Sequence, residues 1–131
     1  MDKLNVKSLN QVLESLKTSW NKYKEVPGDE FVRDSVIQRF EYTYALAVKY
    51  IQKYLEIILP NSDEVDNYTF NELIRTANEK GLLLGNLEKW ATYRQRRNIT
   101  SHTYNVEKAL QVIEIIQDFI EETEFLYNKL K

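Results

Sequence analysis

One short segment, residues 97–104, contains three side chains that suit the chemistry of phosphate esters. Arg97 offers a permanently charged, planar guanidinium that can hold a phosphate through two hydrogen bonds. His102 is the only histidine in the chain, and histidine is the residue type that exchanges protons near neutral pH. Tyr104 adds a hydroxyl that can bind a ligand, position it or be modified. Any histidine-dependent chemistry of this chain must therefore use His102.

Each of the three residues also has a purely structural interpretation. His102 can bond a backbone carbonyl within a loop, and Arg97 can lie against the negative C-terminal end of a helix. Tyr104 can be an interfacial aromatic near a helix start. A spacing of one arginine and one histidine is a weak motif that short sequences match by chance. The neighbouring residues therefore have to decide between these interpretations.

The residues before the motif are rich in positive charge. Within nine positions, and with no acidic residue between them, stand Lys89, Arg94, Arg96 and Arg97. The formal net charge of the whole chain is −2, so any anion-binding surface must be local. Tyr93 and Trp90 lie at helical spacing from the arginines, and aromatic rings beside guanidinium groups can stack bases and hold phosphates. The alternative is that both aromatic rings pack in the core.

Composition restricts the class of protein. The 131 residues suffice for one domain, and the absence of cysteine excludes disulfides, zinc–thiolate sites and cysteine nucleophiles. A single histidine makes a transition-metal site unexpected, so that neither a metal nor another cofactor is predicted. Residues 1–5 carry no apolar signal pattern, and no apolar run approaches the length of a membrane span. We therefore expect a soluble, cytoplasmic protein that does not associate with membranes.

The apolar residues recur at intervals of three and four, which is the period of an α-helix. With only three glycines and two prolines, long uninterrupted helices are expected, and the pattern places them at about residues 5–25, 30–58, 69–81, 86–97 and 106–130. No segment has the pattern of a strand. The sequence therefore predicts an all-α fold, an up-down bundle of four main helices plus a short helix, as a single domain over residues 1–131.

Local signals fix several helix ends and the position of the motif. Thr69 and Glu72 form the pattern of a capping box, and Gly81 is a natural C-terminal cap. Arg97 lies at the end of the fourth helix and His102 in the loop before the fifth, so packed helices should hold both groups in a fixed relation. In the fifth helix, the predicted buried positions are Ala109, Leu110, Ile113, Ile116, Phe119, Ile120, Leu126 and Tyr127.

The segment Arg97-Asn98-Ile99-Thr100-Ser101-His102-Thr103-Tyr104 matches the R-x4-H-x-Y signature of the HEPN superfamily. Residues 34–44, which are part of the second helix, resemble the corresponding segment in one branch of the superfamily. That branch is the nucleotidyltransferase substrate-binding proteins, which include the HepT-like toxins. Trp90 and residues 81–83 fit the same branch, whereas Val48 stands where relatives often carry tryptophan. The resemblance covers nearly the whole chain, although residues 1–29 match mostly in helical character.

The resemblance implies a HEPN-like homodimer in which two Arg–His motifs meet in a basic cleft. Many members are metal-independent endoribonucleases encoded beside a minimal nucleotidyltransferase, which acts as the antitoxin in a hetero-oligomer. In the toxin branch that partner transfers AMP to the motif tyrosine, here Tyr104, and silences the nuclease. An older interpretation makes the same branch a noncatalytic subunit that presents substrate to the nucleotidyltransferase.

These implications assign chemical roles to individual residues. RNA cleavage without a metal needs a proton acceptor for the 2′-hydroxyl, a proton donor for the leaving oxygen and a cation for the phosphorane. Two copies of His102 and Arg97 can supply all three, and Asn98 can orient the phosphate or the histidine. Glu41 can pair with Arg97 as a supporting acid, or it can be a solvated surface residue. The residues expected to bind nucleic acid or nucleotide are Lys89, Tyr93, Arg94 and Arg96.

Three functions remain open from the sequence. The favoured prediction is a HEPN toxin subunit with ribonuclease activity, controlled by a partner nucleotidyltransferase. The alternative is a noncatalytic substrate-binding subunit of that nucleotidyltransferase. The third is a purely structural helical dimer whose motif is vestigial. The sequence argues against this third function, because the motif is intact at Arg97, Asn98, His102 and Tyr104.

Overall fold

Six α-helices form the part of the chain that the computed structural model describes, residues 4–131. They are α1 Lys7–Glu25, α2 Glu30–Ile58, α3 Phe70–Glu79, α4 Leu87–Asn98, α5 Val106–Glu114 and α6 Ile116–Leu130. Two 3₁₀ helices, Ser62–Asn67 and Thr100–His102, lie between α2 and α3 and between α4 and α5. No strand occurs within residues 4–131, so the predicted all-α class is confirmed. The prediction that residues 1–5 carry no signal segment falls partly on residues 1–3, which lie outside the described residues.

Side-chain caps mark four of the five predicted helix starts, those of α2, α3, α4 and α5. The carboxylate of Asp29 accepts hydrogen bonds from the backbone N–H groups of Phe31 and Val32 and so begins α2. Thr69 and Glu72 make the reciprocal capping box predicted for α3. Gly81 has a φ of 74°, the left-handed conformation in which glycine ends a helix without steric strain.

Helix α2 is the central element of the bundle. It has 29 residues and is therefore about 40 Å long. It contacts each of the other five α-helices. Neither α2 nor any other helix within residues 4–131 combines the length and apolarity needed to cross a membrane. Because α2 reaches every other helix, it is the frame against which the motif-bearing segment is positioned.

An aromatic cluster in the core holds α4 against α2 and α6. The ring of Phe40 on α2 meets that of Phe119 on α6 edge to face, with centroids 4.9 Å apart. Tyr93 on α4 packs against Phe119 at 5.2 Å and against Trp90 at 5.4 Å. All four residues are at most 2% exposed. Edge-to-face contacts of this kind add to the burial of apolar area, so they fix the helix that ends at the motif.

A buried carboxylate fixes the connector that precedes α4. Glu122 on α6 is 1% exposed and accepts hydrogen bonds from the N–H groups of Leu84 and Gly85, each at 2.7 Å. Burial raises the pKa of the Glu122 carboxyl, and the two backbone donors oppose that shift. A Cβ at Gly85 would lie 2.7 Å from the Glu122 Oε1 atom and 2.8 Å from the Cβ of Lys89, so only glycine fits there.

The C-terminal part of the chain differs from its prediction. The single helix expected over residues 106–130 is two helices, because the N–H of Ile115 bonds the carbonyl of Val112 in a tightened turn. Leu110 was expected to be buried and is 45% exposed. Of the other predicted positions, five are buried (Ala109, Ile116, Phe119, Ile120 and Leu126) and two are partly buried (Ile113 and Tyr127).

A candidate active site at the end of α4

The predicted loop between Arg97 and His102 is a short, hydrogen-bonded 3₁₀ helix. The hydroxyl of Thr100 donates to the carbonyl of Arg97 at 2.8 Å, and the N–H of His102 donates to the carbonyl of Ile99 at 2.9 Å. Thr100 is 8% exposed, so this turn is anchored in the protein interior. Thr100 is not one of the residues that define the motif, although a threonine three residues after a helix carbonyl is a common local partner.

Hydrogen bonds continue on the far side of His102. The hydroxyl of Thr103 donates to the carbonyl of Thr100 at 3.0 Å, and the N–H of Asn105 donates to the carbonyl of His102 at 3.1 Å. The Asn105 side chain then caps α5 by accepting from the N–H of Lys108. Hydrogen bonds therefore hold the backbone on both sides of His102, between the end of α4 and the start of α5.

The polar side chains of the motif point to solvent. His102 and Asn98 are exposed, and Tyr104 is 86% exposed. The rings of His102 and Tyr104 lie edge to face, with centroids 6.3 Å apart. An incoming molecule can therefore reach the imidazole and the phenol together.

Arg97 reaches from α4 across to α2. Its Nη2 atom lies 3.8 Å from the Oε1 atom of Glu41, and the two side chains are 39% and 44% exposed. An ion pair this long and this exposed contributes little to stability, so it orients the guanidinium without occupying all of its donors. Glu41 thus pairs with Arg97 and is also partly solvated. The pair borders a concavity of about 330 Å³ lined by Gln38, Glu41, Tyr42, Ala45 and Arg97, hereafter the α2 groove.

Arg94 lies on the same side of α4 as Arg97. Its guanidinium carbon is 4.6 Å from the ring centroid of Phe70 on α3, a cation–π contact that leaves the residue exposed. Both arginines also act on the buried Tyr44. Burial raises the pKa of the Tyr44 hydroxyl to about 12, and the positive charges of Arg94 and Arg97 oppose that shift. Arg94 and Arg97 therefore place two guanidinium groups on one side of α4, near its C-terminal end.

The other two basic residues, which are also expected to bind nucleic acid, contact α6 and α5. The Lys89 ammonium lies 3.0 Å from an Asp118 carboxylate oxygen on α6. The Arg96 Nε donates to the backbone carbonyl of Gln111 on α5 at 3.0 Å. Successive residues of a helix are about 100° apart, so these side chains point toward α5 and α6, away from the other two arginines.

Tyr93 is inaccessible to a nucleic-acid base, in contrast to the expectation from the sequence. It is 2% exposed, and its hydroxyl donates to the Asp118 carboxylate at 2.7 Å. Burial and this hydrogen bond raise the pKa of the Tyr93 hydroxyl. Burial by itself would raise the pKa of Asp118, but the bonds from Tyr93 and Lys89 lower it. Trp90 is fully buried as well, so the core interpretation holds for both rings.

The helical bundle agrees with comparisons to known proteins. The family model described as "Nucleotidyltransferase substrate binding protein like" matches residues 4–131. The chain therefore belongs to this family, and the predicted family is confirmed.

Individual relatives match over almost their whole length. A Haemophilus influenzae protein named "Probable ribonuclease HepT" is 35% identical in an alignment that is 138 positions long with its gaps and covers 99% of this chain and 94% of the relative. A solved Haemophilus influenzae structure, described as the fold of a substrate-binding domain of a nucleotidyltransferase, superposes with a TM-score of 0.89. It is 33% identical, and the match covers 96% of this chain and 98% of that one.

Proposed function

We propose that this protein is the toxin subunit of a toxin–antitoxin pair and that it cleaves single-stranded RNA without a metal ion. The observation that carries this proposal is an exposed imidazole, His102, that follows the half-exposed guanidinium of Arg97 by five residues across a hydrogen-bonded turn. The relative named as a probable ribonuclease, 35% identical over nearly the full chain, supports the same function.

The proposed reaction is attack by the RNA 2′-hydroxyl on the adjacent phosphorus. One His102 imidazole removes the 2′-hydroxyl proton as the new O–P bond forms, and Arg97 stabilises the negative charge on the phosphorane. A second His102, protonated, gives its proton to the departing 5′-oxygen as that P–O bond breaks. The products are a 2′,3′-cyclic phosphate and a 5′-hydroxyl. Asn98, next to Arg97 and exposed, can orient the phosphate.

The two proton-transfer roles favour a homodimer, because each chain has one histidine. Large apolar side chains are exposed immediately after the motif, with Val106 at 55% and Leu110 at 45%. Because they lie one helical turn apart on α5, they form an apolar surface that a second copy of the chain can cover. A second copy seated there brings two motifs close together. A dimer contact at this surface also explains why Leu110, an apolar residue, is exposed to solvent in the single chain.

We expect the chain to sediment as a species of twice its 15.6 kDa mass at micromolar concentration. Leu110→Lys should shift this species toward the monomer, because a stable dimer buries more than about 1,000 Å² and a charge at its centre is unfavourable. Leu84→Lys, at another exposed leucine, is the matched control and should remain dimeric. A monomeric wild type, or a dimeric Leu110→Lys protein, would contradict the shared site.

The proposed partner is a minimal nucleotidyltransferase that acts as the antitoxin. The Tyr104 hydroxyl is the proposed acceptor of AMP, and the 86% exposure of this side chain supports that assignment. The tyrosine ring lies beside that of His102, so a nucleotide added there occupies space that RNA needs. One modification can therefore silence the nuclease.

Arg97→Ala tests the nuclease directly. Loss of the phosphate-stabilising cation should lower the single-turnover cleavage rate about 10²- to 10³-fold, the effect of removing one transition-state donor elsewhere. Arg75→Ala, at an exposed arginine on α3, removes the same charge outside the site and should cleave at the wild-type rate. Equal cleavage by the wild type and Arg97→Ala would remove Arg97 from the mechanism.

The alternative function is a noncatalytic subunit that presents substrate to the nucleotidyltransferase. The description of the matching family and that of the similar solved structure favour it. In this case the chain alone neither cleaves RNA nor stops growth when it is expressed. The partner's transfer reaction, measured with labelled nucleotide, would instead depend on its presence. Expression of this chain without the partner therefore separates the two functions.

A further inference from the structure

The α2 groove has an aromatic wall that the motif itself does not supply. Tyr42 is 40% exposed and lines this groove together with Arg97. Binding of single-stranded RNA relies on aromatic rings that stack bases beside cations that hold phosphates. Tyr93 and Trp90, the aromatic residues closest to the arginines in sequence, are buried and cannot take this role. Tyr42 is therefore the aromatic ring that the groove offers next to a phosphate-binding cation.

A hydrogen bond holds the Tyr42 ring in place. Its hydroxyl lies 2.8 Å from the hydroxyl of Ser15 on α1. The carbonyl of Ser15 in turn accepts from the Nη1 atom of Arg39 at 2.8 Å. A ring whose far end is tethered in this way loses little conformational freedom when a base stacks on it. The aromatic wall is thus formed before any ligand arrives.

The remaining residues of the α2 groove suit a nucleobase. Gln38 and Ala45 lie on the same face of α2 as Tyr42, one turn before it and one turn after it. The Gln38 amide has both donor and acceptor groups for the edge of a base. Ala45 is small, so the groove stays open beside the ring. Gln38, Glu41 and Arg97 supply polar groups along the groove, beside the ring of Tyr42.

Glu41 is the one group in the α2 groove that disfavours an anion. Its contact with Arg97 is 3.8 Å long and both side chains are more than a third exposed. An RNA phosphate can form two short hydrogen bonds to the guanidinium, which are stronger than such a contact. The phosphate can therefore bind Arg97 while the Glu41 carboxylate remains in water.

We propose that Tyr42 is the base-stacking residue of this protein: a nucleobase of single-stranded RNA stacks on its ring while Arg97 holds an adjacent phosphate. This inference rests on the proposed ribonuclease function and adds to it the position of a base. It places the bound strand across α2, so that the reacting phosphate lies between Tyr42 and His102. No sequence specificity follows, since every base has a face that can stack.

Photocrosslinking tests the contact directly. The wild-type protein is mixed with an oligouridine that is 2′-O-methylated at every residue, including a single 5-iodouridine, so that the proposed reaction cannot cleave it. After irradiation, peptide mass spectrometry identifies the attached residue, and we expect Tyr42. Crosslinks that form only at other residues would overturn the inference.

Affinity measurements with matched variants complete the test. By fluorescence anisotropy with the same oligonucleotide, Tyr42→Ala should bind about 10-fold more weakly, the usual loss for one stacked base. Tyr42→Phe keeps the ring and should bind within about 2-fold of the wild type, so it separates stacking from the Ser15 hydrogen bond. Phe31→Ala, at an 87% exposed aromatic residue on the same helix, is the control and should bind normally.

The outcomes distinguish this inference from the function on which it rests. Wild-type affinity in Tyr42→Ala, together with weak binding by Arg97→Ala, would overturn the role of Tyr42 and leave the nuclease standing. If the wild-type protein binds no RNA, the proposed function and this inference both fail. If Tyr42→Ala sediments as a monomer while the wild type is a dimer, the groove is a contact between copies and the inference is wrong.

Discussion

His102→Ala should lose RNA cleavage almost completely while the protein stays folded. The imidazole is the proposed proton acceptor and donor, and a positioned general acid or base contributes about 10²- to 10⁴-fold to rate. The side chain is exposed, so its removal leaves no cavity in the core. Single-turnover cleavage of a labelled single-stranded RNA measures the effect.

Ser101→Ala is the matched control for this variant. Ser101 is exposed, stands directly before His102 in the same 3₁₀ helix and carries a hydroxyl instead of an imidazole. It should cleave RNA at the wild-type rate, and all three proteins should unfold at the same temperature by circular dichroism. Undiminished cleavage by purified His102→Ala protein would remove His102 from catalysis and favour the substrate-binding subunit.

Transfer of one AMP to Tyr104 should abolish RNA binding. The added phosphate is an anion that competes with RNA for Arg97, and the nucleoside adds bulk beside His102. Incubation with the partner nucleotidyltransferase, ATP and Mg²⁺ should add the mass of one AMP group to the intact protein. Anisotropy with labelled RNA should then fall to the background level.

Tyr104→Phe supplies the control for the modification. It should gain no mass, keep at least part of the cleavage activity and resist inhibition by the partner. Tyr42→Phe removes a different exposed phenol and should still be modified. A mass gain that persists in Tyr104→Phe would place the modification elsewhere. An unmodified wild type would favour the substrate-presenting interpretation.

The sequence predicted those parts of the fold that local signals determine. Helix α2 begins and ends at the predicted residues because Asp29 caps one end and Pro60 follows the other. The start of α3 was predicted because a capping box is a local pattern of four residues. The break at Ile115 has neither proline nor glycine to mark it, and the apolar period continues across it. A single helix was therefore the natural prediction from the sequence.

The candidate site was predicted to the extent that its residues are neighbours in sequence. Arg97, His102 and Tyr104 lie within eight positions, so a motif could reveal them. The division of the basic residues between two sides of α4 depends on distant partners, Asp118 for one and Glu41 for another. Such pairings follow from packing, which a helical period alone does not specify.

Other contributors to the site carry no sequence signal of function. Thr100 looks like an ordinary loop residue, although its buried hydroxyl fixes the turn. Glu122 looks like a surface residue of a helix, yet its buried carboxylate binds the connector that leads into α4. Tyr42 joins Arg97 only because α2 and α4 pack together. The roles of these three residues become evident only in the three-dimensional structure.

The chemistry of the cleaved ends tests the central claim most directly. Wild-type protein is incubated with single-stranded RNA in the presence of EDTA, and mass spectrometry identifies the termini of the fragments. Attack by the 2′-hydroxyl, with His102 transferring the protons, predicts 2′,3′-cyclic phosphate and 5′-hydroxyl ends from the wild type and none from His102→Ala. Intact RNA after incubation with the wild type, or the same fragments from both proteins, would contradict the claim that this chain is a ribonuclease that uses His102.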